Sequence, residues 1–129
     1  MSHTVKIITQ FTSAERLKEA FKALGWTIGE KTKIRTYPHD PVGQRVFDWA
    51  GVNPRVDGYG VGIEMAEGRC ETFCDFYGGS VAASLGTDLC RLRTEYTAKV
   101  AEHEFAMMGA ECTRTTESNG DVYLTATLQ

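Results

Sequence analysis

Residues 1–26 read MSHTVKIITQFTSAERLKEAFKALGW, and the fold is decided here. Thr4, Val5, Ile7, Ile8 and Thr9 form a β-branched, alternating run that predicts a strand over residues 3–11. Thr12, followed three residues later by Glu15, has the form of a capping box, in which both side chains satisfy backbone N–H groups left over at a helix start. Ala14, Leu17, Ala20, Phe21 and Leu24 then fall on one face, so a helix is expected over 13–24. Gly25 suits the position just past its end, where a left-handed conformation costs glycine little.

Working outward, residues 26–36 read as a second strand, with Lys31, Lys33 and Arg35 on one face. Residues 37–59 look irregular, holding Pro38, Pro41 and Pro54, with a short strand expected around Arg45–Trp49. A hairpin of 59–66 and 70–77 is expected to turn at Glu67-Gly68-Arg69, and Gly78-Gly79-Ser80 ends the sheet before a loop or helical turn. Thr87 is placed to cap a long helix over 88–108, with Leu89, Leu92, Tyr96, Val100, His103 and Met107 as its seam and Gly109 as its stop. A last hairpin, 110–117 and 121–128, turns at Ser118-Asn119-Gly120, Asn-Gly being a strong hairpin signal. Two amphipathic helices and an antiparallel set of strands predict one α+β domain over 1–129. The expected form is a two-layer sandwich, a mostly antiparallel sheet with two helices on one face, as a ferredoxin-like variant.

A chain of 129 residues fits one domain and can bury a sizeable core. The net charge of −3 argues against a protein that coats extended nucleic acid or an anionic membrane. The charge is uneven: residues 1–60 carry nine Lys/Arg against six Asp/Glu, and residues 61–129 carry five against eleven. Any basic patch must therefore come from the first half. No run approaches transmembrane length. The polar start, without an apolar signal-peptide core, gives the expectation of a cytoplasmic protein with reduced thiols.

Several pieces together resemble one family. MSH at 1–3, Thr9-Gln10, and Glu15, Leu17, Lys18, Ala20, Leu24, Gly25 and Trp26 in the form E-x-L-K-x-A-x-x-x-L-G-aromatic are similar to the hypothetical chloroplast reading frame 35 family. This is a domain of unknown function of plastids, cyanobacteria, other bacteria and phages. The long helix ending at Gly109 and the E-S-N-G-D-V-Y-L hairpin match its C-terminal half, whereas residues 37–58 diverge. Where the family pattern shows Tyr-x-Tyr-His, this chain has Tyr96-Thr97-Ala98-Lys99. The resemblance implies a fold and supplies no catalytic residue.

Signals for chemistry are weak. Cys70 and Cys74, four apart on a strand, lie on one face but roughly 13 Å apart, too far to share a metal ion. Buried inert thiols are expected, with no metal and no cofactor. His103 reads as a core-edge imidazole. Gly58-Tyr59-Gly60-Val61-Gly62 enters a strand instead of a helix, so it lacks the helix N-terminus of a phosphate loop and reads as a place where another backbone comes close. The richest constellation is Lys31, Lys33, Arg35, Tyr37, His39, Arg45, Trp49, Arg55 and Tyr59. Guanidinium groups offer paired donors to phosphate, and aromatic rings offer stacking surfaces to a base. These nine residues are the expected ligand site of a non-enzymatic protein that captures a small anionic, nucleotide-derived ligand, a phage-type sequestering protein being one concrete version. The competing description is a solvated strand face and a loop pinned by aromatics. Two other functions stay open. One is docking on a larger assembly through Glu95, Glu102 and Glu104 or an exposed sheet edge, with Phe105, Met107 and Met108 offering a partner or subunit contact. The other is an enzyme using His39, Asp40, Asp48 and Arg45.

Overall fold

The computed structural model describes residues 4–8, 11–119 and 121–128. The chain runs β1 (Thr4–Ile8), α1 (Ala14–Ala23), β2 (Thr27–Thr32), β3 (Phe47–Val52), β4 (Val61–Ala66), β5 (Arg69–Asp75), α2 (Ser80–Leu85), α3 (Cys90–Met107), β6 (Ala110–Thr116) and β7 (Val122–Leu128). β1 to β5 form one sheet in the order β1-β5-β4-β3-β2, every neighbouring pair antiparallel. The four strands β2 to β5 meander, and α1 carries the chain from one sheet edge to the other. The expected α+β architecture, a mostly antiparallel sheet with two helices packed on one face, is what the chain adopts.

The reason lies in α1. Its Leu17, Ala20 and Phe21 are buried, and Gly25, at φ +86°, ends it as expected. The Phe21 ring lies against the sheet at Gly51, where a Cβ would come within 2.5 Å of it, so the bulky ring in the helix requires the glycine in the strand. Around this contact Phe11, Trp26, Trp49, Ile63, Leu85, Leu92 and Tyr96 complete the helix-side core. The Tyr96 hydroxyl accepts hydrogen bonds from the backbone N–H groups of Thr12 and Ser13, both at 3.0 Å, and so pins α3 to the start of α1.

Several boundaries differ from expectation. Ser13, not Thr12, caps α1, accepting from the Arg16 N–H at 3.2 Å; Thr12 instead lies against Tyr96. The capping box is displaced because Thr12 belongs to the Tyr96 contact. Of the strand expected over 3–11, His3, Thr9 and Gln10 lie outside the described residues, and Phe11 is not in the strand but buried in the core. β2 stops at Thr32, four residues before the expected end, and Lys31 within it sits at φ +45°, outside the extended region. β3 lies two residues later than expected. Thr87 caps nothing; α3 begins at Cys90, after Asp88 and Leu89 at φ +53° and +59°.

The seam of α3 is buried at Leu89, Leu92 and Tyr96 but exposed at His103 and Met107. β6 and β7 form a separate two-stranded sheet that packs along α3. The hairpin is tied down by Arg114, whose guanidinium donates to both Glu95 carboxylate oxygens at 2.7 and 2.8 Å.

Residues 33–46 do not form an idle loop. Ile34 packs with Phe47, Ala50 and Phe73 into a second cluster, with Val42 against it. Arg45 covers this cluster, its guanidinium 4.6 Å from the Phe73 ring centre and 5.3 Å from that of Phe47.

Candidate functional site

A cleft of about 250 Å³ opens between the segment leaving β2 and the turn joining β3 to β4. Lys33, Ile34 and Arg35 line one side, and Val52, Arg55 and Val56 the other. No aspartate or glutamate lines it. The turn is organised by Asn53, buried, whose amide donates to the Tyr59 carbonyl at 3.1 Å and whose oxygen accepts from the Arg55 N–H at 3.0 Å. That pattern is an Asx turn, the local geometry Asn before Pro54 favours. Gly58 is required beside it, since a Cβ there would run into the Asn53 carboxamide. Gly60 lets the two sides close up: its N–H donates to the Arg35 carbonyl at 3.2 Å. The glycine-rich stretch thus serves close backbone approach, as its position at a strand entry suggested.

Three cations, Lys33, Arg35 and Arg55, line this cleft, whereas a groove of about 330 Å³ between α3 and β7 holds Arg93 alone. Among the described residues, Lys33 and Arg35 make no ion pair, and both are exposed. Arg55 has only Asp57, at 3.7 Å, with both side chains more than half exposed, so that pair neutralises it weakly. Larger grooves exist. One of about 560 Å³ lies along α1 and α3, but its Arg16–Glu19 and Lys99–Glu102 pairs cancel one another. Another of about 550 Å³, between α3 and the hairpin, holds Glu95 and Arg114 already joined.

Beyond Arg35 lies a tyrosine cluster. The two Asp75 carboxylate oxygens accept the backbone N–H groups of Tyr37 at 3.0 Å and Tyr77 at 2.9 Å, holding the rings edge-on with centres 4.7 Å apart. Burial pushes the Tyr59 phenol up from its ordinary range; Asp75, Tyr77 and Tyr37 add to the rise, and Arg35 opposes it.

The nine expected residues do not all meet. Lys33, Arg35 and Arg55 line the cleft; Tyr37 does not, its ring packing edge-on against Tyr77. Tyr59 sits between Gly58 and Gly60, faces away from the cleft and packs on the helix-side core. Lys31 does not line the cleft; its positive φ breaks the alternation that would have aligned it with Lys33 and Arg35. His39, at φ +69°, is exposed on the turn closed by the Asp40 N–H to Tyr37 carbonyl bond. Arg45 is engaged with Glu64 and the second aromatic cluster. Trp49 is buried against Phe21 at 6.0 Å between ring centres, on the helix side. Sequence reasoning missed Asn53, Val52, Val56, Asp75 and Tyr77. Only Asn53-Pro54 carried a signal that could have found one of them.

The acid–base set is dispersed into backbone roles: Asp40 accepts from the Val42 N–H at 2.9 Å, and Asp48 from that of Met65 at 2.7 Å. Among the described residues, no group of three or more His, Cys, Asp or Glu side chains could hold a metal ion, and no helix is long and apolar enough to cross a membrane. Glu95 belongs to the hairpin clamp and leaves no open acidic face at that position, while Met107 and Met108 are exposed. No protein-family model, no curated protein and no solved structure matches the chain.

Proposed function

We propose that this chain is a non-enzymatic binding protein that captures a small anionic ligand of nucleotide type in the cleft between Lys33, Arg35 and Arg55. The observation that carries this reading is the pair Lys33 and Arg35, two cations without an acid partner beside a cleft with no carboxylate in its lining. Elsewhere among the described residues Arg16, Lys18, Arg45, Arg69, Lys99 and Arg114 face a carboxylate, whereas Lys22, Lys31, Arg91 and Arg93 do not. The cleft, at about 250 Å³, is smaller than the roughly 300–1,000 Å³ of sites that enclose a drug-sized molecule. It suits the anionic end of a nucleotide, with the rest of the ligand outside the cleft. The resemblance to the reading frame 35 family adds no residue to this reading, and the phage-type sequestering role rests on that resemblance.

Thermal unfolding of the protein with a panel of mononucleotides tests the reading. A ligand at 100 times its Kd adds about 2.7 kcal/mol, which for a chain of this size is on the order of 10 °C in Tm. The rise should vanish in Lys33→Ala/Arg35→Ala. A panel that leaves Tm unmoved would overturn the proposal.

A further inference from the structure

The geometry points to a phosphomonoester, carried as its dianion, as the group this cleft selects over a phosphodiester; this deepens the anion reading above and rests on it. The argument is one of charge and wall chemistry. Lys33 and Arg35 together present two uncompensated positive charges, and Arg55 a third, shared with Asp57. A phosphomonoester carries close to two negative charges at neutral pH, its second pKa lying near 6. It therefore balances the pair, whereas a diester carries only one charge and leaves a cation uncompensated. A terminal phosphate also exposes three acceptor oxygens, enough for separate donors on both sides of the cleft. A diester has two such oxygens, and its second substituent would have to fit within the same 250 Å³.

The walls carry the second half of the inference. Ile34, Val52 and Val56 alternate with the cations, and Val56 is 97 % exposed at the rim. An apolar side chain held open at the mouth of a cationic cleft offers contact to the organic part of an ester. The preferred class is thus an organic monoester over inorganic phosphate, with one substituent leaving past Val56.

Isothermal titration calorimetry with 5′-AMP, 3′,5′-cyclic AMP and inorganic phosphate, at pH 7.5 and pH 5, decides the matter. At pH 7.5 the expected order is 5′-AMP, then inorganic phosphate, then cyclic AMP. 5′-AMP should bind about tenfold tighter than the cyclic diester, the worth of one further charged hydrogen bond. At pH 5, where the monoester has lost its second charge, that preference should shrink to about twofold or less. Cyclic AMP, whose charge is constant over this interval, reports any titration of the protein itself. Arg35→Ala should lower the monoester preference and Arg35→Lys should keep most of it, with Tm showing that both variants fold. Equal affinity for 5′-AMP and cyclic AMP at both pH values would overturn the monoester inference and leave the anion reading standing. No binding of any of the three would overturn both.

Discussion

The Asn53 side chain and the Tyr59 carbonyl are joined at 3.1 Å across the turn that forms one wall of the cleft. The same carboxamide holds the Arg55 N–H, so one buried group sets the path of the whole turn. Asn53→Ala removes both bonds and is expected to cost about 1–3 kcal/mol in urea unfolding. Gly58→Ala should destabilise as well, through its clash with the same carboxamide, and the double variant should cost less than the two losses added together. Strict additivity would show that the two residues do not share this contact.

Arg114→Ala leaves the Glu95 carboxylate, about one-tenth exposed, without its two donors. The expected loss is about 1.5–3 kcal/mol. Amide exchange should quicken throughout β6 and β7, while β3 and β4 keep their protection. A hairpin unaffected by the substitution would mean that its contacts with α3 suffice without the clamp.

Tyr96→Phe removes the acceptor for the Thr12 and Ser13 amides. With the ring contact to Phe11 retained, at 4.8 Å between centres, the expected cost of about 1–3 kcal/mol isolates the hydroxyl. A wild-type Tm for this variant would show that the start of α1 is held by packing alone.

Burial, and then the Asp75 carboxylate, pushes the Cys74 thiol up to about 12 from 9.0. The native state therefore holds this proton where the unfolded chain has lost it. The stability so gained is complete below about pH 9 and is lost as pH rises from there toward 12, with a slope of at most ~1.4 kcal/mol per pH unit. Urea midpoints between pH 8 and 10.5 should fall less steeply in Cys74→Ala than in the parent chain. Parallel slopes would remove this thiol as a cause. A disulfide-exchange reagent should label exposed Cys90 first in the native protein and leave Cys70 and Cys74 unlabelled until unfolding.

Much of the fold is legible in residues whose signals are local. The α1 face, the stop at Gly25 and the turn after β4 depend on neighbours a few positions away; the first two formed where expected, and the turn takes Glu67 and Gly68 of the expected three, Arg69 already pairing with Ala66. The site is less legible, because period-2 alternation ranks residues relative to one another without saying which face the helices cover. Trp49 looked like a stacking surface and is instead core, since β3 turns it toward Phe21. Arg45 looked like a phosphate donor and is instead spread over Phe73. Lys31 fell out of the cationic row through one backbone angle that its sequence does not announce. Lys33, Arg35 and Arg55 stayed together because Gly58 and Gly60 allow the two strands' connections to close on each other, a long-range contact hinted at only by the glycines themselves.

The central claim is the place of binding, and the most direct measurement is a ¹⁵N–¹H amide map of the protein titrated with 5′-AMP. Binding at the cleft predicts shifts concentrated at Lys33, Arg35, Arg55, Gly58 and Gly60, with β6 and β7 unmoved. Shifts confined to α3 and the C-terminal hairpin, or none at all, would contradict it.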